Sequence, residues 1–478
     1  MRQAVLVLLL AGCASTPKYD PPKPDLPVAW KVEAPFREST PGDSLAKGKW
    51  WERFGDAKLN DLAEQAIGRS PTLAVAALRL AQARASLGVA NSAAYPQVGL
   101  FTRYNRTRIT QNRPLTNNAA PNFSTTQNDF TFGLTASYEV DVGARVSSLI
   151  AGATASLEQS GADFENVRLL LIADLATAYF NLRQTDVELG VLASAIELQK
   201  RSLELARTRH QLGAGTGLDV AQQQALIDTT LTQVDLLRRQ RAQFEHAIAT
   251  LVAVPAPIFS LPEDAKPMTP PSLPIGVPSD LLERRPDVAS AERAMAAANA
   301  QIGVANAAFY PSVILGASGG QESRIFDTLL HSPSHVWSLG VSLLQPIFDA
   351  GRAQSGVDFA RAGYETATQN YRRVILNAMQ EAEDGIIGLA ALERAYRQAQ
   401  VAVDSAQRTV ELVNARFEGG IAGPLEVITV QQSLLNSERL VSQLAGQQLL
   451  TSVFLVKALG GDWQGLEPRP RERGSASR

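Results

Sequence analysis

Apolar and polar positions along the chain follow two periods, and these occur in the same order twice. The first is strict alternation. Phe130, Phe132, Leu134, Ala136 and Tyr138 share one side of a segment whose other side carries Thr131, Gly133, Thr135, Ser137 and Glu139. Trp337, Leu339, Val341 and Leu343 oppose Ser338, Gly340 and Ser342 in the same way, and weaker partners precede each segment (Val98, Leu100, Thr102, Tyr104; Val313, Leu315, Ala317). A period of two predicts strands, paired as β-hairpins over 97–142 and 312–348. Alternation over about ten residues with aromatics near the ends fits a transmembrane barrel strand. A half-buried soluble sheet alternates identically, so the pattern alone leaves both open.

The second period steps by three and four. Leu189, Leu192, Ile196, Gln199, Leu203 and Ala206 form one such seam, and Val427, Val430, Leu434, Ser437, Val441 and Leu444 form another. A narrow seam with polar interruptions predicts helices packed side by side as coiled coil. Long helices are expected over 145–212 and 352–418, each roughly 100 Å at about 1.5 Å per residue. A glycine-rich turn follows each, and return helices run over 218–252 and 425–459. Ala-rich lead-in helices, 73–94 and 289–309, stop at Tyr95-Pro96 and Tyr310-Pro311, because proline disfavours helix in the residue before it.

The order is a tandem duplication. Tyr95-Pro96-Gln97-Val98 recurs as Tyr310-Pro311-Ser312-Val313, and Ser70-Pro71-Thr72-Leu73 as Arg285-Pro286-Asp287-Val288, both 215 residues on. Downstream, Glu204-Leu205, Arg209, Gly213 and Leu218-Asp219-Val220 recur as Glu411-Leu412, Arg416, Gly420 and Leu425-Glu426-Val427, 207 residues on. The expected organisation is repeat 1 over 51–253, a proline-thick linker over 254–280, repeat 2 over 281–460 and a charged tail over 461–478. Prolines at 255, 257, 262, 267, 270, 271, 274 and 278 bar the linker from helix or sheet interior.

Composition narrows the class. Aromatics reach only 6% and the net charge is −2, so small side chains pack along helices and no basic face suits nucleic acid. The N-terminus carries one positive charge, an apolar run from Ala4 to Leu10 and then Leu10-Ala11-Gly12-Cys13. That is a secretory signal over 1–12, far short of the ~20 residues that span a bilayer. Its end resembles the bacterial lipobox, which implies that Cys13 becomes an acylated first residue. Ala14 after it implies sorting to the outer membrane. Cys13 is the only cysteine, so it has no disulfide partner, and 13–50 is read as the lipid-anchored arm.

Four strands cannot close a barrel, an open edge is not tolerated in hydrocarbon, and the smallest bacterial barrels have about eight strands. Subunits must therefore share one barrel; two, three or four copies would satisfy closure. The duplication, the lipobox and the stretches Leu425-Glu-Val-Ile-Thr-Val-Gln-Gln-Ser-Leu-Leu-Asn436 and Lys457-Ala-Leu-Gly-Gly-Asp-Trp463 resemble the TolC-type outer membrane factors, specifically their NodT-like lipoprotein branch. The resemblance covers about residues 50–463. It implies an α+β membrane protein: a homotrimer with a twelve-strand β-barrel, a periplasmic barrel of twelve helices and an equatorial domain. It also implies a periplasmic adaptor, an inner-membrane pump of the resistance-nodulation-division type, and passive transport to the exterior. A type I protein secretion duct and a poreless lipid-anchored coiled-coil scaffold are the alternatives.

By the same resemblance the glycine turns are periplasmic tips that meet the adaptor, with Arg209, Gly213, Gly217 and Leu218 in one copy and Arg416, Gly420, Pro424 and Leu425 in the other. Asp219 and Glu426 are the candidate gate acids. Rings of acids select cations, but an acid there equally favours a helix N-terminus, and both readings stand. Ala422 and Thr429 occupy positions where some relatives carry aspartate. Of the family's Asp-Leu-Trp-Gly-Arg step, Asp349-Ala-Gly-Arg352 keeps the glycine while Asp141-Val-Gly-Ala-Arg145 displaces it. Chemistry of other kinds is not expected. His331 and His335 are separated by Pro333, and Gly213-Ala-Gly-Thr-Gly217 lacks the strand and lysine of a phosphate loop. No metal, cofactor or enzymatic activity is predicted. The lipobox predicts that the mature N-terminal peptide carries acyl mass on Cys13 and that Cys13→Ser abolishes it; an unmodified native Cys13 in the mass spectrum would refute the anchor.

Overall fold

The computed structural model describes Tyr19 and residues 48–112, 125–271 and 285–461. The signal segment, Cys13, the arm over 20–47, Pro274 and Pro278 of the linker, and the tail with Trp463 lie outside the described residues. In chain order the elements are α1 (Ala57–Arg69), α2 (Pro71–Ser92), β1 (Gln97–Ile109), β2 (Thr125–Val140), α3 (Arg145–Gln211) and α4 (Gly217–Leu251). The second copy supplies α5 (Pro286–Asn306), β3 (Ser312–Ser323), β4 (His335–Leu344), α6 (Arg352–Glu418) and α7 (Pro424–Ala458). Both long helices have 67 residues and both return helices 35. Helices α2 and α5 start at Pro71 and Pro286 rather than further in, because a proline at the first helical position gives up only an orphan N–H. Helix α1 has no counterpart among the predicted elements. Asp56 caps it, accepting from the backbone N–H groups of Lys58 and Leu59 at 2.8 and 3.0 Å, and Leu59, Leu62, Ala63 and Ala66 are its buried stripe.

The chain divides into two compact units. The first comprises the described residues of Met1–Lys23, Leu80–Ser160 and Ala291–Tyr371 and contains one antiparallel sheet in the order β1-β2-β3-β4. Each hairpin pairs internally, and β2 joins β3 with Gly133 opposite Gly320. The two copies touch closely there: a Cβ on Gly133 would lie 2.6 Å from the Gly319 carbonyl oxygen, nearer than any side chain sits.

The second unit comprises the described residues of Pro24–Arg79, Gly161–Ser290 and Arg372–Arg478. Its main core gathers Trp50, Trp51, α1, the α3 segment from Leu171 to Leu182, and Leu449, Val453 and Val456 of α7. Along α3 the predicted seam is buried at Leu192, Ile196, Gln199, Leu203 and Ala206. Along α7 the predicted seam and the buried face part company: Val427 and Leu434 are buried, Ser437, Val441 and Leu444 only half so. The buried stripe runs instead through Gln431, Ser442, Gly446 and Leu449. An apolar-only search passes over those small and polar residues, yet they bring α7 close to α3. A Cβ on Gly446 would meet Gln184 Cγ at 2.5 Å, and Gln431 Nε2 donates to Ser202 Oγ at 2.7 Å.

The described part of the proline-thick linker holds only a 3-10 turn, Ala256–Ile258, and charge fixes it. Asp186, fully buried on α3, accepts from Arg241 Nε at 2.6 Å, Arg183 Nη1 at 3.2 Å and the Asp264 backbone N–H at 3.2 Å. Arg241 also donates to the Leu261 carbonyl, while the Glu245 carboxylate receives the Leu261 N–H. Arg183 bridges on to the Asp264 carboxylate at 2.5 Å. That hydrogen bond holds Asp264 below the usual carboxylate range, so its stabilisation is complete above the ordinary value and drains away as pH falls through the lowered one.

Helix ends expose what the two copies share. In the left-handed region stand Ala144 (φ +56°) and Ala253 (+58°) of the first copy, and 207 residues on Gly351 (+86°) and Gly460 (+87°) of the second. Displacing the glycine in Asp141–Arg145 thus leaves an alanine in a conformation that costs an L-residue about 1–2 kcal/mol. Ala144→Gly and Ala253→Gly are each expected to stabilise the protein, by about 1 kcal/mol after the chain-entropy penalty of glycine. Detergent-solubilised melting curves that fall or stay level for both variants would contradict this.

Candidate functional site

Two turns in the second unit carry the residues singled out as tips. After α3, the Gly213 N–H bonds the His210 carbonyl at 3.0 Å and the Ala214 N–H bonds the Arg209 carbonyl at 2.8 Å. After α6 the same pair recurs, Gly420 to Phe417 at 3.0 Å and Ile421 to Arg416 at 2.8 Å. This is a Schellman ending, which needs a left-handed residue; Gly213 (φ +73°) and Gly420 (+75°) supply it. Gly217 and Pro424 then open α4 and α7 at the first helical position.

The acids behind the turns are tied into the helix starts. Asp219 accepts from the Thr216 N–H at 2.8 Å while Thr216 Oγ1 accepts from the Asp219 N–H at 3.3 Å, a reciprocal capping box. Glu426 accepts from the Gly423 N–H at 3.3 Å, and Gly423 has no side chain to return the bond. The second Glu426 oxygen lies 3.8 Å from Arg416 Nη1 in an exposed pair, which contributes little by itself. Ala422 is buried beside Phe417 and Val427, and the Thr429 hydroxyl donates to the Leu425 carbonyl at 2.8 Å.

The two repeat-related arginines diverge. Arg416 reaches forward to its own turn's glutamate. Arg209 reaches across to the other turn: Nη2 donates to the Phe417 carbonyl and, at 3.3 Å, to the Glu418 carbonyl, and the guanidinium lies 4.2 Å from the centre of the Phe417 ring. Those carbonyls lie at the negative end of α6, the Phe417 oxygen also accepting from the Gly420 N–H, and Phe417 is itself buried with Leu205 and Val413 against it. Thus a residue of the first copy caps a helix of the second. The pairing spans 208 positions, and only the equivalence of Arg209 and Arg416 was visible in the sequence. Around these turns Leu212, Leu218, Ile421 and Leu425 are all exposed, an apolar rim on otherwise polar loops.

In the first unit the sheet leaves its apolar side uncovered: Trp337 is 79% exposed, Leu339 78% and Leu134 55%, and β4 is exposed along both sides. A half-buried soluble sheet would cover the apolar side. Near the hairpin loops Tyr104 stacks on Phe130 at 4.7 Å and Phe130 meets Phe326 at 5.6 Å, the aromatic band expected at a membrane boundary. At that end, too, Gln321 Nε2 contacts His335 Nδ1 at 3.1 Å. Among the described residues no histidine, cysteine and carboxylate cluster suits a metal.

A family model described as "outer membrane efflux protein" matches residues 62–254 and again 277–461, one match per copy. The pyoverdine export outer membrane protein OpmQ of Pseudomonas aeruginosa is 32% identical over 461 residues, 96% of this chain and 95% of that protein. The toluene efflux pump outer membrane protein TtgF of Pseudomonas putida is 28% identical, covering 97% of each. Among solved structures, the outer-membrane channel OprN matches with a TM-score of 0.85 at 26% identity, over 95% of this chain and all of that one. The Campylobacter jejuni CmeC outer membrane channel matches at 0.83 and 25%, over 94% of this chain and 95% of that one.

Arg209→Ala is expected to loosen the turn after α6 and speed amide exchange at Gly419–Ala422 by about tenfold or more, since a charged donor to two carbonyls is lost. Arg416→Ala should leave the same amides nearly unchanged. Equal protection in the two variants would remove the cross-copy cap.

Proposed function

Because the chain belongs to the outer membrane efflux protein family, and so is an outer-membrane efflux channel rather than an enzyme, we propose that three copies pool their sheets into one twelve-strand barrel around a shared aqueous bore. One observation carries this reading: a four-stranded sheet whose edge strands β1 and β4 are unpaired among the described residues, and whose apolar side is uncovered. Edges of that kind must pair in hydrocarbon, and twelve strands leave room for a lumen that side chains do not fill. The family resemblance favours three copies among the numbers that close. A poreless coiled-coil scaffold has no use for such a sheet.

In this reading the paired turns are the periplasmic tips. Their exposed rim of Leu212, Leu218, Ile421 and Leu425 meets a periplasmic adaptor, with Arg209, Gly213, Gly217, Arg416, Gly420 and Pro424 holding the turns in shape. An inner-membrane pump of the resistance-nodulation-division type supplies the energy, and the conduit is passive. Relatives named for pyoverdine and toluene support small organic cargo over polypeptide. Acyl chains on Cys13 add a second hold on the outer membrane. Asp219 and Glu426 place three carboxylates of each kind around the tip opening, where they favour cations in addition to capping their helices.

Purified protein is expected to cross-link as a trimer and to give small, noisy conductance in planar bilayers. The double variant Asp219→Asn, Glu426→Gln keeps the capping oxygens and removes the charge, so its cation-over-anion permeability ratio should drop. A monomer without conductance would end the shared-barrel reading; an unchanged ratio would end the gate assignment alone.

A further inference from the structure

Within the first 47 residues only Tyr19 has a described position, and it is seated rather than free. Its phenol donates to Glu292 Oε1 at 2.5 Å, with the Glu292 carbonyl 3.3 Å away. Glu292 belongs to α5 and its side chain is 19% exposed. Its other oxygen takes Arg293 Nε at 3.1 Å, and Arg293 Nη1 bridges to Glu158 of α3 at 3.2 Å. Tyr19 is half-buried, and burial followed by the bond to Glu292 pushes its phenol above the usual tyrosine range. The receptor is therefore an anchored carboxylate, held by an arginine and shielded from water, that accepts one hydroxyl.

We propose that Tyr19–Glu292 is a clasp that fastens the lipid-bearing leader to the folded body. Glu292 receives a segment of this same chain, and Tyr19 is a positioning residue for the anchor. This rests on acylation of Cys13 for what the clasp positions, but not for the clasp itself. Cys13 lies six positions before Tyr19, and an extended chain covers at most about 21 Å over that distance. The acyl chains consequently enter the bilayer within that radius of the clasp, beside the unit that holds the strands. A tether free along all of 13–47 would allow several times that reach. The charge-assisted bond is short and sheltered, the kind worth more than a neutral surface contact.

The leader contains its own reporter: Lys18 precedes Tyr19, so trypsin cuts beside the clasp when it is open. In the full-length membrane-inserted protein the Lys18–Tyr19 bond should resist cleavage. Tyr19→Phe and Glu292→Ala should each raise its cleavage rate by about tenfold, as expected for loss of a charge-assisted hydrogen bond in a locally opening segment. Glu292→Gln retains an acceptor oxygen without the charge and should restore protection in part, to between Glu292→Ala and the native protein. Cleavage of the native protein as fast as Tyr19→Phe would overturn the clasp. Mass analysis of the released Cys13–Lys18 peptide separates the two claims: a protected bond with no acyl mass leaves the clasp standing and removes the anchor.

Discussion

Backbone N–H and C=O groups along the outer sides of β1 and β4 have no strand partner among the described residues, and hydrocarbon offers none. Each unpaired group costs several kcal/mol there, and about two dozen line the outer sides of these 13- and 10-residue strands, so the debt far exceeds the stability of an ordinary domain. It cannot be met inside one copy, because four strands cannot bend into a closed ring. The uncovered apolar side suits a sheet that ends on a neighbour's sheet.

The second unit concentrates its aromatics in one core, around Trp50, Trp51, Phe54, Tyr179 and Phe180. Elsewhere its long helices meet through small residues, such as Gly446 against Gln184, and through a few buried ion pairs. Asp186 is the clearest instance. Removing both arginines would strand a buried charge, an expensive defect, while the intact set ties two helices to a linker whose described part holds only one 3-10 turn.

Much of this was legible from local pattern. Strands, long helices and turns follow from periods of two and three to four, and duplication checked each assignment against a second copy. Gly213 and Gly420 could be read as turn glycines because a Schellman ending demands them. Helix α1 was missed, although Asp56 ahead of Leu59, Leu62, Ala63 and Ala66 carries the signal of a capped, one-sided helix. What the pattern did not carry are meetings between distant residues. Arg209 on the carbonyl of Phe417, Arg241 on Asp186 and Tyr19 on Glu292 are each ordinary residues in an ordinary context until the chain brings them together. The drift of the α7 stripe has a related cause: its buried positions are glutamine, serine and glycine, which no hydrophobic count registers.

The unlike fates of Arg209 and Arg416 bear on what duplication achieved. A ring assembled from single, unduplicated copies would have one kind of turn, and every arginine would have to make the same bond. Fusing two copies into one chain lets neighbouring turns specialise, one reaching sideways to brace and the next reaching forward to its own helix. Around such a ring the rotational symmetry is halved, and anything that grips the end encounters two alternating sorts of contact where an ancestral assembly offered one.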